Sequence, residues 1–242
     1  MIQLLTACVS SIDETKGNTS NLLFSGQILP ERNAGLNGAP SLKLEPGAAC
    51  AAAVFDGAGA NGRRAAYLAA SAARAAGDGL RSVADLEALY TKMHNDVAAA
   101  VAEANEAMSA AAVCVSVDGD RLCLANLGSC RAYLLRDKAL YRLSRGSADA
   151  AAQAAPPAPG EGPALGAGAV PPFTVKGTLR PDDQLLLCTP WLSAAVAERE
   201  ILLTLLDSKT PGEALQRLVK LAGSGRGDVA AVLLRAEAAP EA

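Results

Sequence analysis

The chain has 242 residues, half of them hydrophobic, and a net charge of −3 with Lys, Arg, Asp and Glu interspersed along it. That length and apolar content suit one large core, so a single globular domain is expected. The lack of a basic stripe argues against a nucleic-acid partner, and no apolar run approaches the roughly 20 residues that cross a bilayer.

Met1 to Ser10 and Asn21 to Leu29 are rich in Leu, Ile, Val and Thr and are separated by the polar stretch IDETKGNTS, a pattern that suits two paired strands. Leu5-Thr6-Ala7-Cys8 resembles a lipoprotein cleavage box. Only seven residues precede that cysteine and none is Lys or Arg, so no signal peptide is read and a cytoplasmic location is expected. Residues 49–55, ACAAAVF, read as a third strand that runs into VFDGAGANG.

Gly62 to Ala76 has high helix propensity and ends at Gly77, a C-cap residue. Ser82 then opens a long amphipathic helix as N-cap, with Asp85 three residues on and Val83, Leu86, Leu89, Tyr90, Met93, Val97 and Val101 at helical spacing. AAVCVSV, RLCLANLG, SCRAYLLR and LYRLS follow as four strands, expected to form consecutive antiparallel hairpins. Residues 147–170 are almost entirely Ala, Pro and Gly and read as a flexible surface loop.

FTVKGTLR and QLLLCT, joined by PDD, read as a further hairpin; Asp182 and Asp183 take turn roles in it. Helical EREILLTLL and PGEALQRLVKLA come next, and DVAAVLLR closes the pattern as a last strand. The domain is expected to span 1–236, with 237–242 as a tail. Clustered strands between helix pairs argue for an α+β layered fold with antiparallel sheets.

The cysteines read as packing residues. Cys8, Cys50, Cys114, Cys123 and Cys188 lie in apolar runs, where free cysteine acts as a small hydrophobe. No CxxC pair exists and His94 is the only histidine, so a Cys/His zinc site lacks ligands. Cys130 has only Arg131 beside it to lower its pKa and reads as buried and inert. His94 reads as a packing residue.

Four stretches, in order, resemble the metal-dependent serine/threonine protein phosphatases of the PPM type, also called type 2C. VFDGAGANG is similar to that family's VFDGHGG, and LANLGSCRAYLLRDKALYRLS to its ANVGDSRAYL. DDQLLLCTPWLS is similar to its DxLLLCSDGL, and GRGDVAAVLLR to its closing GxxDNxTVVVV. The resemblance implies an α-β-β-α sandwich of two antiparallel sheets flanked by helices. It also implies hydrolysis of phosphoprotein monoesters by a water bridging two Mn2+ or Mg2+ ions.

The same resemblance assigns metal ligands to Asp56, the Gly57 carbonyl and Asp228. It also exposes losses: Ser20, Ser129 and Pro190 stand where the family has acids, Thr15 where it has a phosphate-binding arginine, and Ala58 where it has a histidine. Ser144-Arg145-Gly146-Ser147 replaces its DHS stretch. Lys16 is the cation nearest the lost arginine. Two carboxylates hold at most one hard cation loosely, so metal is expected to be weak or absent.

The expected role is therefore binding or regulation through a phosphoprotein or signalling partner, with an active divergent phosphatase as the alternative. Asp56 has a second reading, as a turn residue accepting backbone hydrogen bonds. Trp191 is expected to fill the vacated metal pocket, and Asp228→Asn to leave stability nearly unchanged or slightly higher.

Overall fold

A computed structural model describes residues 1–13, 17–145, 163–168, 171–223 and 227–240. Two six-stranded antiparallel sheets pack face to face. One is ordered β4-β1-β12-β11-β8-β9 and comprises Ser41–Lys43, Ile2–Ser11, Val229–Ala238, Gln184–Cys188, Arg131–Arg136 and Ala139–Arg142. The other is ordered β10-β7-β6-β5-β2-β3 and comprises Phe173–Thr178, Arg121–Leu127, Met108–Asp118, Cys50–Gly59, Ser20–Phe24 and Gln27–Ile28.

Helices α1 (Gly62–Ala76) and α2 (Val83–Ala104) cover the second sheet; α3 (Pro190–Ala195), α4 (Glu198–Asp207) and α5 (Pro211–Ala222) cover the first. The expected α-β-β-α sandwich is the observed architecture. Three apolar layers hold it together. Phe55, Ala112 and Cys114 meet the alanine face of α1 and Leu86, Tyr90 and Met93 of α2. Val54, Val113, Leu124, Leu187 and Val232 fill the space between the sheets. Leu186, Leu233, Ile201 and Leu215 pack under α4 and α5. Strand alternation sorts neighbouring residues between these layers.

Alanines make α1 thin. Ala65, Ala66, Ala69, Ala70 and Ala73 are fully buried, so the helix backbone lies close to β5. The approach is closest where Gly57 meets Gly62: a Cβ on Gly57 would stand 1.8 Å from the Gly62 carbonyl oxygen. α2 begins as expected, with the Ser82 hydroxyl accepting the Asp85 N–H, and ends at Asn105 in a left-handed conformation.

Pairing departs from the sequence reading at three places, each by a change of sheet. β1 and β2 are not partners: β1 pairs along ten residues with β12, while β2 pairs with β5. β6-β7 and β8-β9 are hairpins, but Gly128 to Cys130 carries the chain from one sheet to the other between them. β10 pairs with β7, and β11 with β8 and β12, so PDD also joins two sheets. In a sandwich each face buries an apolar row, and local alternation is the same whether the next strand is a neighbour or lies opposite.

Two boundaries also move. Glu237 and Ala238, expected in a tail, pair with Gln3 and Ile2 in β12. Most of the 147–170 loop lies outside the described residues, but 163–168 is packed rather than a free surface segment. Leu165 is fully buried and exchanges two backbone hydrogen bonds with Ala110, at 3.2 and 2.9 Å. The Gly166 N–H donates to His94 Nδ1 at 3.2 Å, so His94 clips this segment to α2.

Candidate functional site

The sheets part at the end where β5, β1 and β7 finish and β2, β8 and β12 begin. Alternation from Val54, Leu22, Leu124, Leu187 and Ala230 places Asp56, Ser20, Asn126, Thr189 and Asp228 on the face between the sheets there. Ser20 lies directly across from Asp56 in the β2–β5 register, with Ala111 on its other side. Cys130 is buried at the same end.

Asp228 and Asp56 are held in opposite ways. Asp228 Oδ1 accepts the Asp13 N–H at 2.8 Å, and Oδ2 accepts the Thr19 N–H at 2.6 Å and the Thr19 hydroxyl at 2.7 Å. Thr189 fixes the backbone around it, its hydroxyl donating to the Asp228 carbonyl and accepting the Ala230 N–H. Asp56 lies within β5, and among the described residues no hydrogen-bond donor reaches its carboxylate. Burial, and next the negative charge of Asp228, push its pKa up to about 7. The reading of Asp56 as a turn acceptor is therefore corrected; the turn comes later, at Ala60-Asn61.

Asn18 organises the loop between β1 and β2. Its Oδ1 accepts both the N–H and the hydroxyl of Ser20, at 2.9 and 2.8 Å, and its Nδ2 donates to Asn33 Oδ1. Its carbonyl accepts from Arg63 Nε at 2.9 Å. The Gly57 N–H donates to the Thr19 carbonyl. Asn126 donates to the Ala112 and Cys130 carbonyls, which fixes its amide orientation and leaves a buried Oδ1 without a hydrogen-bond partner among the described residues. Thr15 and Lys16 lie outside the described residues.

Trp191 does not fill the space between Asp56 and Asp228. Its ring lies over Gly227, where an added Cβ would stand 2.2 Å from Cδ2, and its indole N–H donates to the Ala222 carbonyl. It remains 38% exposed. Pro190 explains this: it opens α3 at the first helical position, which carries the next side chain outward. Cys130 is fully buried, with its thiol pKa raised chiefly by desolvation, in keeping with an inert thiol. Among the described residues no three His, Cys, Asp or Glu side chains gather as a metal-binding group.

No protein-family model matches the chain, and no curated protein matches it. Solved structures do. The catalytic domain of the serine/threonine phosphatase PstP in complex with two manganese ions matches with a TM-score of 0.78 at 24% identity, covering 98% of this chain and 100% of that one. PstP/Ppp of Mycobacterium tuberculosis gives 0.76 at 23%, with the same coverage. The PPM Ser-Thr phosphatase MsPP of Mycobacterium smegmatis, in complex with cacodylate, gives 0.73 at 20%, covering 96% and 97%. The chain has the PPM phosphatase fold.

Within that fold, the positions that the resemblance singles out come together at one end of the sandwich. Asp56, Gly57, Ser20 and Asp228 are neighbours there by register and hydrogen bonds. Ser129 lies in the crossover before β8, and Pro190 opens α3 after β11. Asp182 and Asp183 belong to the opposite end. Asp183 does more than turn chemistry: its carboxylate pairs bidentately with Arg136, at 2.9 and 2.6 Å, and accepts the Arg180 N–H. Asn126 and Thr189, polar residues ending apolar strands, were the readable signals that composition alone passed over.

Proposed function

We propose that this chain is a PPM-phosphatase-like domain in which the two-metal hydrolytic centre does not assemble, and that it acts by binding or regulation. The observation that carries this reading is the state of Asp228. Two divalent ions bring four positive charges and demand several oxygen anions at about 2.0 to 2.6 Å. Both Asp228 oxygens already accept protein donors, one on Oδ1 and two on Oδ2, so little of this carboxylate is left for metal. The neighbouring positions offer hydroxyls at Ser20 and Ser129 and no ligating side-chain atom at Pro190.

The donor set therefore does not match two Mn2+ or Mg2+ ions, and Asp56 with the Gly57 carbonyl is left as the part of the site that could meet one cation. No hydrolytic step is derived through metal. The partner expected for such a domain is a phosphoprotein or signalling protein. No described helix is long and apolar enough to cross a membrane.

One observation favours an active divergent phosphatase instead. A half-buried carboxylate without donors among the described residues, facing a second carboxylate, is the arrangement a cation relieves. Purified protein is expected not to hydrolyse p-nitrophenyl phosphate or a phosphothreonine peptide above background with millimolar manganese or magnesium. Metal-dependent turnover abolished by Asp56→Asn would sink the first reading and establish the second.

A further inference from the structure

The layer between the sheets runs short of side chains at the edge formed by β3 and β4. One sheet ends there in the three residues of β4, the other in the two residues of β3. The gap is an open cavity of about 420 Å³, within the roughly 300 to 1,000 Å³ of small-molecule sites. Every residue that lines it is described, and none carries a charge.

The lining is graded from an apolar floor to a polar mouth. Cys8, Leu22 and Leu29 are buried at the floor, and all three belong to the core between the sheets. Phe24 and Leu36 are half-buried beside them, and Leu42 is exposed at the rim. The polar lining residues, Ser25, Gln27 and Ser41, are all exposed. Water on such a floor finds few hydrogen-bond partners, so its displacement by hydrocarbon is favourable. One lip is preformed: Ser25 and Gly26, in the two-residue turn from β2 to β3, both have positive φ, +50° and +70°.

Two features choose the occupant. Pro40 precedes β4, Lys43 ends it, and Pro30 follows β3, and short edge strands marked by Pro and Lys resist pairing with another chain, which disfavours an added peptide strand. The uncharged lining offers a charged head group no counter-charge. We propose that this cavity binds the hydrocarbon chain of an uncharged amphiphile, such as a long-chain alcohol, with its polar end at Ser25 and Gln27. Asp56 and Asp228 do not line it, so the site stands apart from the question of metal.

The test titrates hexanol, octanol, decanol and decanoate against protein carrying the neutral fluorophore N-phenyl-1-naphthylamine and reads its displacement. Alcohol affinity is expected to rise about tenfold for every two methylenes added, and decanoate to bind about threefold or more weakly than decanol. Leu42→Glu sets a charge at the rim and Leu36→Trp fills the cavity; each is expected to weaken decanol binding about tenfold or more. Leu42→Met keeps size and apolarity, and Leu203→Glu alters an exposed leucine of α4 outside the cavity; each is expected to change binding less than about twofold.

No saturable binding of the fluorophore or of decanol, an affinity that does not grow with chain length, or equal losses in Leu42→Glu and Leu203→Glu overturns the proposal. Decanoate binding as tightly as decanol overturns the uncharged head group. An extended apolar peptide that displaces the fluorophore where decanol does not overturns it in favour of strand addition. Unchanged melting temperatures in Leu42→Glu and Leu36→Trp separate a lost site from a lost fold. Leu42 is already exposed, so its variant decides the matter if Leu36→Trp unfolds.

Discussion

The two ends of the sandwich each carry an aspartate at the edge of the inter-sheet space, and the fold treats them oppositely. At the end where β11 begins, Asp183 is 3% exposed, pairs bidentately with Arg136 and accepts the Arg180 N–H. At the end where β5 finishes, Asp56 has no donor among the described residues, and burial raises its pKa to about 7. Pairing is what a buried charge needs to be tolerated. An end that completes the pair is built for stability, whereas one that leaves the carboxylate open keeps a conflict that a ligand, a proton or a substitution relieves.

The largest expected effect is at the paired end. Arg136→Ala leaves the Asp183 carboxylate buried without its counter-charge, and a loss of about 3 to 4 kcal/mol in urea unfolding is expected. A loss below about 1 kcal/mol would erase the contrast between the ends.

Asp228→Asn comes next and reverses the sequence-based expectation. The three donors on Asp228 bind a charged acceptor, and an amide would keep one oxygen but turn its NH2 toward at least one of them, so a loss of about 2 kcal/mol is expected in the same measurement. Unchanged stability would mean that the β1–β2 loop finds other acceptors.

Asp56→Asn is expected to act in the other direction and to depend on pH. Burial raises the folded carboxyl to about 7 from an ordinary carboxyl value of about 3.8, so between these values the folded state retains a proton that the unfolded chain has released. Stability from this group is therefore greatest below about pH 4 and falls as pH rises to about 7. Asp56→Asn should remove that fall, gaining up to about 4 kcal/mol at pH 8 relative to the difference at pH 4. A parallel pair of stability-against-pH curves would refute the pKa direction.

The smallest expected effect is that of metal. Manganese at 1 mM should shift the melting temperature by only about 1 °C, because weak binding contributes little by mass action. A large shift lost in Asp56→Asn would turn the open end into a working cation site and revive the active-phosphatase reading.

Element types were legible because each depends on local pattern: the Ser82 cap, the alanine face of α1 and the alternation in β6 and β12 all sit in short windows. Partnership was less so. Nothing in IDETKGNTS or PDD says whether the next strand lies beside the last or across from it, and each time the expected hairpin was a change of sheet. Asp56, Gly57 and Asp228 were found through the motif resemblance, and the structure brings them together. Their different hydrogen bonding was not readable, because the donors to Asp228 come from residues 209 and 215 positions away in the chain. Trp191 was misplaced because Pro190 was taken only as a lost acid, when it also starts a helix that carries the indole to Gly227.

The contact between Gly57 and Gly62 bears on how this sequence can drift. A Cβ at 57 would penetrate the Gly62 carbonyl, and one at 62 would lie 2.6 Å from the Gly57 carbonyl carbon, so neither position accepts alanine without lifting α1 off β5. The glycines that make VFDGAGANG look like a phosphatase strand end are thus demanded by helix docking, whatever happens at Asp56. Catalysis can be lost while that part of the signature stays frozen, and relatedness read from it dates the scaffold rather than the chemistry.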